Sequence, residues 1–220
     1  GVGKVVADWM TEGTPALDPH RVDIARFYPH QKQDDIVESR CAEIAQKVYT
    51  PAVHPREPFA TSRERFVSPF YEREVALGGY FMEIKGWERA HGYRANEATL
   101  LAKYRDRVPA REHEWDSRHF WEVSNAEHLE LSESVGMINL SHFAIYDIAG
   151  PDAESLLEYL SVARVGGPTP VGKGVYTHFL DENGAIKADL TIVRLDATSF
   201  RVICGGDTGH RDLVWIQRMA

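Results

Sequence analysis

Cysteine is scarce in this sequence: Cys41 and Cys204 are the two among 220 residues. Two thiols cannot build a disulfide scaffold or a four-thiolate zinc site, and they fit a reducing compartment. Apolar runs are short, none approaching the roughly 18 residues of a membrane-crossing helix, so no membrane role is expected. A basic excess is missing as well. Lys and Arg number 25 against 33 Asp and Glu, a formal net charge of −8 that leaves no global field for nucleic acid. The chain has neither a Gly-x-Ser-x-Gly elbow nor a Walker loop. It opens on Gly1-Val2-Gly3-Lys4 with no initiator Met or targeting peptide, and it ends in what reads as an unfinished helix. It is therefore expected to be an internal piece of a longer protein. The 43% apolar and 26% charged content is that of a globular protein, which excludes disorder and collagen-like structure.

What is present is a mixture of helical and strand signals. Val2, Val5, Val6, Trp9 and Met10 recur at helical spacing before a stop at Gly13. Residues 18–27 read as a second, short helix. Residues 34–49 read as a third, with Ile36, Val37, Cys41, Ile44 and Val48 on its apolar side. Pro51, Pro55, Pro58 and Pro69 make residues 50–69 extended or irregular. Residues 77–87 read as strand, with Gly78-Gly79 at a bulge or close approach. Residues 88–118 mix charges of both signs and read as an exposed polar connection. Ser124 and Glu127 form a capping box that predicts a helix through Val135. Residues 136–148 read as strand, and Pro151 opens a helix with Leu156, Leu157 and Leu160 inward. Strands at 175–180 and 186–195 flank Asp181-Glu-Asn-Gly184, a hairpin signal. A turn at 196–199, a strand at 200–204 and a helix holding Leu213, Trp215 and Ile216 complete the chain. Hairpins with interspersed helices predict an α+β fold of mixed or antiparallel sheets, not a doubly wound parallel sheet.

Few residues stand out chemically. Asp189 lies in the strand-like run Ile186-Lys-Ala-Asp-Leu-Thr-Ile-Val-Arg194. A carboxylate among apolar neighbours is costly to bury unless it is paired or functional, but strand alternation could equally turn it to water. Gly1, Gly3 and Lys4 stand at a helix start, where free N–H groups favour anions; a plain turn and a surface Lys would look the same. His142 could be a base, a ligand or a core histidine. His113, His119 and His128 sit in polar surroundings, and no close pair has metal-ligand spacing. Cys41 and Cys204 are both expected to be buried thiols.

The order of motifs resembles the dimethylglycine and sarcosine dehydrogenase family, in which a flavin-dependent amine oxidoreductase is fused to a folate-binding domain like the glycine-cleavage aminomethyltransferase. Residues 1–13 look like the last flavin-domain helix. Residues 49–89 resemble the central segment through His54-Pro55, Arg63, Ser68-Pro-Phe-Tyr71 and Gly86-Trp-Glu-Arg89. From about Phe120 the chain is similar to the aminomethyltransferase domain, through Glu127-His128, Val135-Gly136, Gly150-Pro-Asp-Ala153, Gly172-Lys-Gly-Val-Tyr176, Asp181-Glu-Asn-Gly184, Ala188-Asp-Leu190 and Trp215-Ile216. The division this implies is 1–30 for the end of the oxidoreductase domain and 31–94 for its central segment. A connection follows at 95–120, and 121–220 is the first part of the folate-binding domain.

The resemblance implies oxidative demethylation of an N-methyl amine on FAD, with the one-carbon unit passed to tetrahydrofolate. Asp189 falls on the family's catalytic Asp and also on its folate site, with Tyr176 as a folate contact; Gly1, Gly3 and Lys4 would approach FAD. An electron-acceptor protein is a possible partner, and the expected location is cytoplasmic, or the mitochondrial matrix in a eukaryote. Asn139 stands where many relatives carry Asp, Ile145 where the dehydrogenase branch commonly has Lys, and Gly205 where the aminomethyltransferase has Asn. The alternatives are a flavin-free folate-dependent aminomethyltransferase or demethylase, and a non-catalytic regulatory relative. A four-residue turn at 181–184 predicts Tyr176 directly opposite Asp189, with Asp189 aimed into a concave site.

Overall fold

A computed structural model describes residues 1–13, 15, 17, 19, 22–49, 59–113 and 120–220, with backbone alone at 48 and 49. The elements are α1 (Val2–Glu12), α2 (Asp34–Tyr49), α3 (Tyr71–Ala76), β1 (Gly79–Ile84), β2 (Trp87–Tyr93), α4 (Ala102–Tyr104), α5 (Trp121–Glu133), β3 (Ala144–Ala149), α6 (Ala153–Leu160), β4 (Gly174–Leu180), β5 (Ile186–Arg194), β6 (Ser199–Cys204) and α7 (Gly209–Met219). Short tight helical turns lie at Ile24–Arg26 and Pro29–Lys32, and a wide helical turn at Glu97–Leu101 leads into α4. The architecture is α+β with antiparallel sheets. The prolines and the motif residues at 50–58, and His119, lie outside the described residues.

The chain forms two compact units, Gly1–Tyr28 with Phe143–Ala220, and Pro29–His142. It thus divides at 28 and at 142, whereas the sequence reading places boundaries at 30, 94 and 120.

In the first unit, four antiparallel strands run in the order β3-β6-β5-β4. Alternation puts Ala188, Leu190 and Ile192 of β5 and Phe200, Val202 and Cys204 of β6 on one face. Leu157 and Leu160 of α6 and Ile216 of α7 pack there and close the core; Leu157, Phe179 and Phe200 are fully buried. The opposite face of this sheet is open.

The second unit is built around β1 and β2, an antiparallel hairpin. Residues 88–93 are therefore a strand, not an exposed connection, and Tyr104 beyond them is 3% exposed. Polar side chains misled the sequence reading because they are used inside. Glu88, 3% exposed, takes a two-pronged bond from Arg63 at 2.7 and 2.5 Å and a third bond from the Glu64 N–H. Burying a charge in this way requires full pairing. The inward side of α2 is similarly charged. Glu43 accepts from the Ala60 and Thr61 N–H groups, the Thr61 hydroxyl and Lys47, and Arg40 meets Glu83 at 2.9 Å. With that side turned inward, Cys41 is exposed, not buried as expected. Helix α5 begins at Trp121, so Ser124 lies within it and does not cap it.

Candidate functional site

The hairpin between β4 and β5 sets the site. The Asp181 carboxylate accepts from the Asn183 and Ala185 N–H groups, and Gly184 takes a φ of 80° that a side chain would resist. The Asp181 N–H bonds to the Ala185 carbonyl, which makes the loop one residue longer than the turn counted from sequence. A second extra residue, Lys187, bulges where pairing passes from Leu180↔Ile186 to Phe179↔Ala188. The register is therefore shifted by two. Tyr176 pairs with Thr191, and His178 lies opposite Asp189. Two single shifts restore the original face, so Tyr176 and Asp189 still point the same way. Their side chains meet on the diagonal: the Tyr176 hydroxyl donates to the Asp189 carboxylate at 2.7 Å. That bond, with the carboxylate charge, holds the Tyr176 phenol above its ordinary pKa, so it remains a donor.

Asp189 is exposed and Tyr176 is 62% exposed. Asp189 was expected to aim into a concave site; among the described residues it is left exposed. Neither the cavity lined by Trp9, Lys187 and Trp215 nor the one lined by Leu101, Phe120 and Trp121 includes either residue. The pair lies on the open sheet face, in a row that runs Ile145, Ile203, Thr191, Tyr176 across all four strands. The adjacent row holds Asp147 and Arg201, joined by two bonds of 2.8 and 2.9 Å. On the other side of Asp189, Gly205 follows Cys204, the partner of Leu190, and so comes alongside. Two of the three departures from the family pattern, Ile145 and Gly205, thus share a face with Tyr176 and Asp189.

One site residue escaped the sequence reading. His178 lies directly across from Asp189, and its ring stands edge-on to Tyr176, with centroids 5.4 Å apart and planes at 71°. Its signal was present as a second polar ring two positions along the strand from Tyr176.

The other candidates are distributed differently. Gly1 caps α1 without a side-chain bond, and a Cβ at Gly1 or Gly3 would meet nothing within 4 Å. Lys4 is paired along the helix with Asp8 at 2.8 Å, which raises its pKa. The third departure, Asn139, belongs to the second unit. Its amide donates to Ser68 at 2.8 Å and to buried Glu74 at 3.1 Å. An Asp in its place would set two carboxylates together. His142 is half-buried, while His113 and His128 are exposed. Cys204 is 1% exposed, and burial pushes its thiol up to about 12. Among the described residues, no group of three His, Cys, Asp or Glu side chains could hold a metal, and no helix is long and apolar enough to cross a membrane.

Residues 70–220 match the family described as the GCVT N-terminal domain, and residues 12–68 match the FAD dependent oxidoreductase central domain. The chain is 31% identical over its whole length to 4-methylaminobutanoate oxidase (formaldehyde-forming) of Paenarthrobacter nicotinovorans, of which it covers 25%. Over 99% of its length it is 30% identical to the mitochondrial pyruvate dehydrogenase phosphatase regulatory subunit of Mus musculus, covering 24% of that protein. Human mitochondrial sarcosine dehydrogenase is 29% identical over 89% of the chain, which covers 23% of it. The chain thus spans about a quarter of the length of these relatives. The crystal structure of glycine cleavage system aminomethyltransferase T from Bartonella henselae superposes with a TM-score of 0.51 and 19% identity, over 71% of this chain and 36% of that one. That likeness is one of fold. With more than half of its length matched, the chain belongs to the GCVT N-terminal domain family, joined here to a segment of the FAD dependent oxidoreductase central domain type.

Proposed function

We propose that the chain is part of an FAD-dependent enzyme that oxidatively demethylates a small N-methyl amine and passes the one-carbon unit to tetrahydrofolate. The observation that carries this reading is the Tyr176–Asp189 pair on the open face of a GCVT-type sheet, in a chain that also matches an FAD dependent oxidoreductase central domain. The names of two relatives, an oxidase that forms formaldehyde and a sarcosine dehydrogenase, supply the substrate class.

The residues present fit both groups in part. With one Asp189 oxygen held by Tyr176, the other is left to accept from a ligand N–H, and the exposed Tyr176 ring offers a surface for stacking. The start of α1, with open space around Gly1 and Gly3, fits one edge of an FAD site, with the Lys4–Asp8 ion pair beside it. When bound, FAD would supply the oxidation and tetrahydrofolate the one-carbon acceptor. Asp189 would then act as a general base, or as the fixed charge that orients the reacting N–H. Tyr176 would hold the carboxylate in place. The electron acceptor would be a partner protein or oxygen.

Replacing Asp189 by Asn in the full-length enzyme keeps the shape and removes the charge. Amine oxidation is expected to survive, methylenetetrahydrofolate output to fall and free formaldehyde to rise. An unchanged methylenetetrahydrofolate rate would return Asp189 to an ordinary surface position.

A second reading has its own support: the near-equal identity to a regulatory subunit. A full-length protein with no flavin absorption and no amine oxidation would favour it.

A further inference from the structure

We propose that Arg211 is a positioning residue for the Tyr176–Asp189 pair: by holding the carbonyl of the bulged Lys187, it fixes the β4–β5 register that lets the two side chains meet. Its bearing on one-carbon transfer rests on the role proposed for Asp189; the register itself does not.

The need for such a residue follows from the bulge. Pairing passes from Leu180↔Ile186 to Phe179↔Ala188, so Lys187 is the extra residue, opposite no residue of β4. A one-residue slip turns every side chain of a strand to the other face. With Lys187 taken into the ladder, Ala188 would pair with His178, and Asp189 with Thr177, which is 3% exposed. Asp189 would then lie on the face opposite Tyr176, and the 2.7 Å bond between them could not form.

A bulged residue drops out of the ladder, and its carbonyl still needs a donor. Arg211 supplies one, its guanidinium Nη2 donating to the Lys187 carbonyl at 2.6 Å. The donor is itself held. Nη2 and Nε of Arg211 also donate to Asp212, at 2.9 and 3.1 Å. Asp212 is 1% exposed and accepts from the Thr208 hydroxyl as well, at 2.9 Å. A carboxylate buried this deeply needs its cation, so the guanidinium stays beside it and keeps its aim at the bulge.

One helical turn further along α7, Trp215 meets the other end of Lys187. The Lys187 ammonium stands over the indole, 4.9 Å from the ring centroid. Helix α7 thus grips both the main chain and the side chain of the bulged residue. It packs on the core side of the sheet through Ile216, whereas Tyr176 and Asp189 lie on the open face. Arg211 therefore acts through the β5 backbone, two residues ahead of Asp189.

The test uses the full-length protein with 3-fluorotyrosine at position 176, its phenol titration followed by fluorine NMR. Asp189→Asn sets the midpoint of a phenol that has lost the carboxylate. Arg211→Met removes every donor, and its midpoint is expected to fall at least about halfway from the parent value to that of Asp189→Asn. Because Arg211→Met leaves Asp212 buried without its cation, a second variant combines it with Asp212→Asn, which removes both charges and protects the fold. The same fall is expected there. Arg218→Gln gives up a bond from the same helix to the Gly13 carbonyl and is expected to keep the parent midpoint. A parent midpoint in the double variant overturns the proposal. So does an equal fall in Arg218→Gln, which would mean that any loosening of α7 disturbs the pair. Equal midpoints in the parent and Asp189→Asn overturn it too, since there would be no contact to position. A lowered midpoint with unchanged methylenetetrahydrofolate output supports the positioning role and removes the catalytic role of Asp189.

Discussion

The Tyr176 hydroxyl reaches the Asp189 carboxylate along a diagonal of the β4–β5 pair, although the backbone partner of Tyr176 is Thr191. The contact therefore depends on the bulge at Lys187 as much as on the two residues themselves. The Lys187 carbonyl accepts from Arg211 at 2.6 Å, which ties that bulge to the start of α7.

The pair makes a pH prediction that needs no activity. A carboxylate next to a phenol disfavours the phenolate, and the Tyr176 pKa is raised mainly by its hydrogen bond to Asp189. In Asp189→Asn the charge is gone, so the Tyr176 ring should titrate at lower pH than in the parent. Ring-carbon NMR with labelled tyrosine reads this directly. An unchanged midpoint would show that the two groups do not meet in solution.

Thiol chemistry should separate the two cysteines. Cys41 is exposed on α2, while Cys204 is buried near Asp212, with its thiol pushed up to about 12 chiefly by burial. The thiolate is the reactive form. A chromogenic disulfide reagent at pH 8 should titrate one thiol quickly, and a second after denaturation. The variant Cys41→Ser should lose the fast phase.

Glu43 should contribute to acid stability. Burial would raise its pKa, but bonds from Thr61, Lys47 and Ala60 outweigh that and bring it to about 2. A carboxyl depressed below its unfolded value stabilises the fold above the unfolded pKa, and the contribution fades as pH falls from about 4.5 toward 2. Glu43→Gln should therefore cost roughly 2–3 kcal/mol at pH 7 and progressively less below pH 4. Denaturant unfolding at several pH values gives the comparison. A cost that does not change with pH would mean that packing, not charge, is what Glu43 supplies.

The outcome for β2 and α2 shows which parts of this fold could be read from sequence. Where the core is apolar, as in β4 to β6 with Phe179, Leu190, Ile192 and Val202, alternation located the strands. Where charges are buried in pairs, as for Glu88 with Arg63 and Glu43 with Lys47, the pattern looks like surface. The strand residues 88–93 were read as a linker and the exposed side of α2 as its core side for that reason. Asp189 and Tyr176 came from the family resemblance and hairpin counting together. His178 was missed because a polar ring two positions from Tyr176 places it beside Asp189 only once the shifted β4–β5 register is known. Residues 136–148 were read as one strand, whereas β3 begins only at Ala144.

His178 should act as a positioning residue for Tyr176. Its ring edge meets the Tyr176 ring at 5.4 Å, with Asp189 directly opposite on β5. Edge-on aromatic pairs prefer this geometry, so the imidazole restrains the phenol in the orientation that reaches Asp189. Removing the ring in His178→Ala should loosen Tyr176 without affecting the core, because His178 lies on the open face. In the full-length enzyme the tetrahydrofolate KM should then rise roughly two- to tenfold, the range one aromatic contact supports. The kcat for amine oxidation should stay unchanged. His178→Phe keeps an aromatic edge and loses both ring nitrogens. If positioning is the role, Phe restores the parent KM. If Phe is as poor as Ala, the imidazole nitrogens are what the site requires, and His178 would join Asp189 in handling protons. A parent-like KM in His178→Ala would leave Tyr176 held by Asp189 alone.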